Sequence, residues 1–186
     1  MADKEKTTYI VLLRGINVGG HTVKTDALRR LFEALEFENV RSYIQTGNIF
    51  FDSSETDKKL LQKKIEEHLA KNLGYSVPVC LRTLQELETL LQHNPFSKIA
   101  LTPDKRFAVM FVTEPVKIDF SLPYLTPDGG YELLGQTPTE LFVVWHLRNG
   151  RPGNNYGLIE KIIDRKATTR FWHTTEKIFA AARSTD

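Results

Sequence analysis

The sequence predicts an α+β fold, and two observations lead to that prediction. Along residues 1–95, segments typical of strands and helices follow one another in the order strand, helix, strand, strand, helix, strand. The strand-like segments are short β-branched or aromatic runs, whereas the helix-like ones carry apolar residues every three or four positions. This order is the split β-α-β arrangement of the ferredoxin-like fold, in which helices cover one face of an antiparallel sheet.

The first strand and the first helix are predicted on either side of a glycine-containing loop. Residues 8–13 (TYIVLL) form an apolar run that predicts a largely buried strand. Thr25 and Asp26 suit the first positions of a helix. Apolar residues at helical spacing follow them: Leu28, Leu31, Phe32 and Leu35.

Three further elements complete the first predicted sheet. Residues 40–44 and 49–51 are β-prone runs joined through QTGN, which predicts an antiparallel hairpin. A second helix has apolar residues at four-residue intervals, namely Leu61, Ile65, Leu69 and Leu73. Gly74 ends this helix, and residues 76–82 predict another short strand.

The second half of the chain is expected to form a second subdomain. Thr83 and Glu86 have the spacing of a capping box, and they predict a third helix that leads to the boundary. Further elements, around a proline-containing segment, are predicted at residues 107–113, 131–134, 141–147, 158–163, 168–171 and 174–182. We therefore expect two similar subdomains, at residues 1–95 and 96–186, and a ferredoxin-like fold in both.

Composition and charge indicate an ordinary globular protein. Lys and Arg number 25 against 23 Asp and Glu, and a formal charge of +2 is too small for a dedicated duplex-DNA binder. The single cysteine, Cys80, lies in an apolar run and is interpreted as a small buried hydrophobe. No segment approaches the ~18 uninterrupted apolar residues of a membrane span, and the charged start is unlike a signal peptide. We expect a cytoplasmic protein with no membrane partner, and the sequence leaves its oligomeric state open.

The loop RGINVGG, between the first strand and the first helix, is the most specific feature of the sequence. Arg14 can form bidentate contacts with a phosphate or a carboxylate. Backbone N–H groups around Gly15, Gly19 and Gly20, with Asn17 between them, can approach such a group closely. The loop therefore predicts the binding of a small anionic molecule. In the structural alternative, the glycines permit positive φ, Asn17 closes a turn and Arg14 makes an ion pair.

The segment QTGN, which joins the two strands of the predicted hairpin, is a second polar loop. It places Gln45, Gly47 and Asn48 at a strand end that a small sheet can bring beside RGINVGG. We expect the two loops to form one ligand-binding site. A tight hairpin also needs a Gly-Asn pair for its turn, so a purely structural role is the alternative.

Two polar segments of the second half are weaker candidates. The loop RNGRPGNNY, residues 148–156, precedes a helix and carries Arg148 and Arg151, but its Asn-Gly and Pro-Gly pairs are ordinary turn signals and favour a structural reading. The segment TTRFWHTT, residues 168–175, groups Arg170 and His173 with aromatic residues. We include Arg170 in the predicted ligand site. In the structural alternative, which is favoured for this segment, Trp172 belongs to the core, Thr174 or Thr175 caps the last helix and Arg170 is a structural partner.

The sequence carries no signature of catalysis or of metal binding. It has no GxSxG, HExxH or CxxC motif, and its five histidines are dispersed. No nucleophile or general base can be named, so the sequence leaves open whether the protein is an enzyme. It predicts no cofactor and no metal.

Taken together, LLRGINVGG, VRSYIQTGNIFF and a C-terminal Thr-x-Arg-x-Trp-x-Thr resemble the bacterial family called domain of unknown function 1697, over nearly the whole chain. The resemblance implies a ferredoxin-like architecture and brings no established activity. It matches these residues to the family's motifs: Arg14, Gly15, Asn17, Gly19, Gly20, Gln45, Gly47, Asn48, Thr168, Arg170, Trp172 and Thr174. Phe171 and His173 stand where the family more often has asparagine, so a function of those asparagines is not expected here.

Two other functions remain open at the level of sequence. Ferredoxin-like sheets with exposed aromatic residues bind single-stranded nucleic acid by base stacking, and Phe50 and Phe51 lie in a suitable strand. However, GNIFFD does not match the aromatic motif of RNA-recognition domains, and the near-balanced charge makes nucleic acid the weaker hypothesis. The second alternative is a non-catalytic interaction module that associates through exposed sheet edges.

Overall fold

A computed structural model describes residues 5–17, 19–20, 22–44, 47–154, 156–162 and 167–184, without the side chains of Leu158 and Ile162. The chain divides into two compact units, Met1–Thr89 with Ile178–Asp186, and Leu90–Lys177. The expected subdomain boundary at residue 95 stays a prediction. In the part of the chain that the structure describes, no helix has the length and apolarity that a membrane crossing requires.

The first unit has the predicted ferredoxin-like topology. Its elements are β1 (Thr7–Leu13), α1 (Thr25–Glu33), β2 (Glu38–Ser42), β3 (Asn48–Ser53), α2 (Lys58–Leu73) and β4 (Val79–Thr83). The sheet order is β2-β3-β1-β4, and all neighbouring strands are antiparallel. The α+β prediction is therefore confirmed, and β1 lies centrally with its carboxyl end leading into RGINVGG.

Alternation along β1 explains how the helices pack on the sheet. Tyr9, Val11 and Leu13 share one face and belong to a core that includes Phe32 of α1 and Ile65 of α2. Burying each large apolar side chain contributes about 1.5–3 kcal/mol, so this shared face holds both helices on the sheet.

The helix ends follow the sequence signals. Asp57 Oδ1 accepts hydrogen bonds from Lys59 N and Leu60 N at the start of α2, and Gly74 adopts a left-handed conformation after its end. The capping box at α3 (Leu84–His93) is confirmed, because Thr83 N donates to Glu86 Oε2 and Glu86 N donates to Thr83 Oγ1.

The strand β2 begins and ends two residues earlier than predicted. A bulge shifts the pairing with β3 between Glu38 and Arg41, and Asn39 has a positive φ of 49° there. Ile44, also at positive φ, lies outside the strand. The β-prone run at residues 40–44 therefore continues two residues past the end of β2, where the backbone no longer forms a strand.

The second unit has a five-stranded antiparallel sheet with the order β6-β7-β8-β5-β9. Its elements are β5 (Lys105–Val112), β6 (Tyr124–Leu125), β7 (Tyr131–Gln136), β8 (Glu140–His146), α4 (Tyr156–Ile162), β9 (Ala167–Phe171) and α5 (Trp172–Arg183), of which the last enters the first unit at Ile178. The strands β7, β8, β5 and β9 repeat the spatial order of the first sheet. The elements predicted at residues 131–134 and 141–147 correspond to β7 and β8, which pair as an antiparallel hairpin.

In the second unit, an extended segment follows the first strand, β5, where the first unit has the helix α1. Residues 113–123, all of which the structure describes, form no helix. Apolar residues at every second position of this segment pack against the core beside β5 and β7, namely Val116, Ile118, Phe120 and Leu122. Prolines at 115 and 123 disfavour a helix, and alternation lets an extended chain cover the sheet instead.

The closing helix α5 begins two residues before its predicted start. Trp172 follows β9 directly, and Thr175 Oγ1 donates to the carbonyl oxygen of Phe171 in the first turn. At its other end, Arg41 of β2 donates to the carbonyl oxygens of Ala181, Ala182 and Ser184. A guanidinium at a helix carboxyl terminus is favourable, and these bonds attach the end of α5 to the first unit.

Candidate functional site

The loop RGINVGG leaves β1 between two neighbouring strands. Leu13 N donates to the carbonyl oxygen of Gly47 at 2.9 Å, and Arg14 N donates to that of Pro78 at 3.0 Å. Further along, Asn17 Oδ1 accepts a hydrogen bond from Val23 N at 2.8 Å and closes the loop before α1. Both ends of the loop are therefore held in place.

The glycines of this loop are required by backbone conformation. Gly15, Gly19 and Gly20 have φ values of 69°, 63° and 87°, which L side chains rarely adopt. A Cβ at Gly19 or Gly20 would meet nothing within 4 Å, and both residues are exposed. Packing therefore does not explain these two glycines, and their backbone lies open to solvent.

The hairpin glycine lies directly against the loop. A Cβ on Gly47 would come within 2.8 Å of Ile16 Cγ2 and 3.0 Å of Leu13 Cβ, and the φ of Gly47 is 73°. The structure thus brings Gly47 and RGINVGG together. Gln45, the third hairpin candidate, lies outside the described residues.

Asn48 is placed inside the hairpin rather than on its surface. It is 1% exposed, its Nδ2 donates to the Tyr43 carbonyl oxygen, and its own carbonyl accepts from Tyr43 N. These bonds give Asn48 a structural role in holding β2 against β3. The adjoining crevice, lined by residues such as Thr25 and Ile44, is too narrow to hold a ligand.

The two arginines of the predicted site belong to different units. Arg14 is half-buried at the end of β1 in the first unit. Arg170 lies in β9 of the second unit, where its Nη1 donates to Thr168 Oγ1 and to the Thr169 carbonyl oxygen, each at 2.9 Å. The grouping of Arg170 with the loop residues stays a prediction.

The loop RNGRPGNNY is engaged with an aspartate of its own unit. Arg148 and Arg151 pair backbone to backbone around the Asn-Gly turn. The Asp128 carboxylate accepts hydrogen bonds from Asn154 N and Gly130 N, at 2.9 and 3.0 Å. A carboxylate of the chain thus occupies one backbone N–H group of this loop, that of Asn154, which supports the structural interpretation of the loop. Asn155 lies outside the described residues.

The segment TTRFWHTT contributes to a cleft that the sequence did not indicate. Trp172 and His173 line a cavity of about 670 Å³ in the second unit. Its other walls come from the segment after α3, from β5 and from α5, with Phe96, Leu101, Arg106, Phe107 and Glu176 among the lining residues. These residues are far apart in sequence and share no periodicity, so no sequence pattern could have grouped them.

Four ionisable groups among the described residues have shifted pKa values with structural causes. A hydrogen bond from the Thr102 side chain lowers the pKa of Asp104. Burial alone raises the pKa of Glu86, but hydrogen bonds from Lys58 Nζ and Thr83 N outweigh it and lower that pKa below its ordinary value. Burial raises the pKa of Tyr9 and of Tyr131. Each of these groups has a structural hydrogen bond, and none lies in RGINVGG.

Metal ligands are not assembled in the described residues. No group of three or more His, Cys, Asp or Glu side chains is close enough to hold a metal there. Cys80 is 2% exposed in β4, as its apolar neighbours suggested. His146 of β8 contacts Glu132 at 3.1 Å, which is a structural pair across the hairpin.

Comparison with known proteins gives a family and a structural relative. A family model described as a protein of unknown function (DUF1697) matches residues 6–132. A solved structure of a conserved bacterial protein from Streptococcus pneumoniae is similar, with a TM-score of 0.69 and 26% identity. The similarity covers 96% of this chain and 100% of that one. No curated protein matches.

Proposed function

Since the chain belongs to the DUF1697 family, whose members share a description as proteins of unknown function, we propose from the site itself that this protein binds a small anionic molecule at RGINVGG. The ligand carries a phosphate or a carboxylate group. Arg14 and the backbone of Gly15, Gly19 and Gly20 hold this group, and Gly47 forms the adjoining wall.

The observation that carries the proposal is the open, left-handed backbone at Gly19 and Gly20. The exposed backbone of these two residues leaves N–H groups that an anion can approach, as backbone N–H groups in turns do at known anion sites. A glycine kept for packing would have close neighbours at its Cβ position, as Gly47 does, but Gly19 and Gly20 have none. Asn17, within the loop, is tied by its side chain to Val23 N just before α1. Tying Asn17 in place lowers the entropic cost of ordering this part of the loop around a ligand.

Arg14 supplies the charge that distinguishes this loop from an ordinary turn. Its backbone is fixed by the bond to Pro78, so its side chain starts from a defined position next to the glycines. A guanidinium binds the two oxygens of a phosphate or carboxylate in parallel, which adds both affinity and orientation.

The nucleic-acid alternative finds less support in the structure. Phe50 and Phe51 are 1% and 0% exposed, so neither offers a ring face to a base. Phe51 stacks on Phe37 with ring centroids 3.9 Å apart, inside the core of the first unit. Stacking on exposed aromatic residues is the usual basis of single-strand binding on such a sheet.

A thermal-shift comparison of two arginine variants tests the proposal. Pyrophosphate and citrate at constant ionic strength are expected to raise the melting temperature of the wild type, since a ligand at 100 times its Kd stabilises by about 2.7 kcal/mol. Arg14→Ala is expected to lose this shift. Arg30→Ala removes the same charge from the exposed side of α1 and is expected to keep it.

The same experiment separates binding from general salt effects. Phosphate-like ions stabilise folded proteins by exclusion from their surface, and that effect persists in every variant. Equal shifts in the wild type and in Arg14→Ala would therefore show that the loop binds none of these anions. Gly19→Asn serves as a second variant, because asparagine tolerates positive φ and should preserve the loop conformation and the shift.

A further inference from the structure

The cleft of the second unit has an aromatic wall. Phe96 and Phe107 are stacked, with centroids 4.7 Å apart and an interplanar angle of 5°. Trp172 meets Phe96 edge to face at 5.3 Å. Phe96 is only 3% exposed, so this wall is a fixed part of the unit's packing. Phe107 and Trp172 are partly exposed, and their rings are the aromatic surface that a flat ligand can contact.

The rim of the cleft adds an exposed apolar side chain and a histidine. Leu101 is 67% exposed at the rim and leaves apolar surface that a ligand in the cleft can cover. The His173 ring lies parallel to that of Phe171, with centroids 5.9 Å apart and an angle of 12°. The volume of about 670 Å³ falls within the range of roughly 300–1,000 Å³ that is typical of small-molecule sites.

Two opposite charges line the same cleft. Arg106 of β5 donates from Nη1 to the carbonyl oxygens of Pro103 and Lys105, at 3.0 and 2.7 Å, so one edge of its guanidinium is fixed to the backbone. Glu176 of α5 supplies a carboxylate. An arginine with a glutamate gives the lining no net charge when His173 is neutral. A phosphate would be repelled by Glu176, and a simple amine would be repelled by Arg106.

We propose that this cleft binds a free aromatic amino acid or a closely similar zwitterionic aromatic molecule. The ring packs on the partly exposed rings of Phe107 and Trp172, which the buried Phe96 holds in place. The carboxylate of the ligand pairs with Arg106, and its ammonium pairs with Glu176. The site lies in the second unit and is independent of the anion site at RGINVGG.

Three probes isolate these contacts: L-phenylalanine, 3-phenylpropionate, which lacks the ammonium, and phenethylamine, which lacks the carboxylate. Isothermal titration calorimetry of the whole protein is expected to give the tightest binding for L-phenylalanine. Each truncated probe is expected to bind about tenfold more weakly, the usual weight of one charge-assisted hydrogen bond.

Charge variants assign each end of the ligand. Arg106→Gln is expected to abolish the preference for L-phenylalanine over phenethylamine, and Glu176→Gln the preference over 3-phenylpropionate. Lys98→Gln removes an exposed positive charge that does not line the cleft, and it is expected to leave all three affinities unchanged. Equal losses in Arg106→Gln and Lys98→Gln would overturn the assignment, because they would indicate a diffuse charge effect.

Tryptophan fluorescence places the ligand. The chain has two tryptophans, Trp145 and Trp172, and Trp145 does not line the cleft. In the variant Trp145→Phe, the remaining emission comes from Trp172, and L-phenylalanine is expected to shift it with the affinity that calorimetry gives for the same variant. The proposal is overturned if none of the probes binds up to its solubility limit. It is equally overturned if the three probes bind alike, or if binding leaves the emission of Trp172 unchanged.

Discussion

Replacing Gly47 with alanine is expected to destabilise the protein by about 2–5 kcal/mol, the sum of two costs. The left-handed conformation, at φ 73°, costs roughly 1–2 kcal/mol for an L side chain. The new Cβ would also lie 2.8 Å from Ile16 Cγ2 and 3.0 Å from Leu13 Cβ. Both neighbours are buried, at 3% and 2% exposure, and such overpacking costs typically about 1–3 kcal/mol.

The matched control is Gly19→Ala in the adjoining loop. Gly19 has a similar φ of 63°, but its Cβ would meet nothing within 4 Å. Only the conformational cost of about 1–2 kcal/mol is then expected. The loss of unfolded-state freedom is the same in both variants, so the difference between them reports the contact with Ile16 and Leu13.

Urea unfolding followed by far-ultraviolet circular dichroism measures both free energies of unfolding. Tryptophan fluorescence is unsuitable, because Trp145 and Trp172 both lie in the second unit. The variant Ile16→Ala removes the nearest atom, so it is expected to be less costly in the Gly47→Ala background, with a coupling of about 0.5–3 kcal/mol. Equal destabilisation by Gly47→Ala and Gly19→Ala, without coupling to Ile16, would refute the close approach of the two loops.

Three further predictions concern single side chains. Glu86→Gln is expected to lower the free energy of unfolding at neutral pH and to match the wild type in acid. The folded-state pKa of Glu86 is lowered, so its carboxylate stabilises the fold above the unfolded-state pKa and loses that effect as the pH falls through the folded-state pKa. A difference in urea midpoint that does not change with pH would contradict this. Burial raises the pKa of Tyr131, so its stabilising effect is complete below the unfolded-state pKa and is lost as the pH rises through the folded value. Alkaline titration of Tyr131→Phe should therefore show a weaker loss of stability than the wild type, and an identical loss would remove Tyr131 as its cause. Trp145 Nε1 is buried with no hydrogen-bond partner among the described residues, so Trp145→Phe removes an unsatisfied donor while it opens a small cavity; thermal unfolding should change by no more than about 1 kcal/mol, and a loss of several kcal/mol would show that Nε1 does have a partner.

The sequence was most informative where local patterns determine structure. The order of elements in the first unit follows from apolar periodicity and from signals such as Gly74 and the Thr83–Glu86 capping box, all of which act over a few residues. The proximity of Gly47 to RGINVGG follows in turn from the ferredoxin-like order, because β1 and β3 are neighbours in that sheet.

Features that depend on distant contacts could not be predicted. The alternation of Val116, Ile118, Phe120 and Leu122 is visible in the sequence, but prolines around it suggested only a loop, and its core role depends on the sheet it covers. The sequence left open whether Asn48 contacts a ligand or serves the hairpin turn, and its bonds to Tyr43 depend on how the two strands pair.

The same limit applies to the cleft of the second unit. Phe96, Arg106 and Glu176 come from three separate parts of the chain, and each looks ordinary in its own segment. Only the fold assembles them beside Trp172. The sequence had marked TTRFWHTT as a polar and aromatic cluster, but it gave no indication of the residues that face it.

An amide titration by nuclear magnetic resonance tests the anion site at RGINVGG most directly. Pyrophosphate added to the ¹⁵N-labelled protein is expected to shift the backbone N–H signals of Gly15, Gly19 and Gly20 along a single saturable curve, and Arg14→Ala is expected to abolish that curve. Unchanged glycine signals, or shifts of equal size across the surface of the protein, would contradict the proposed function.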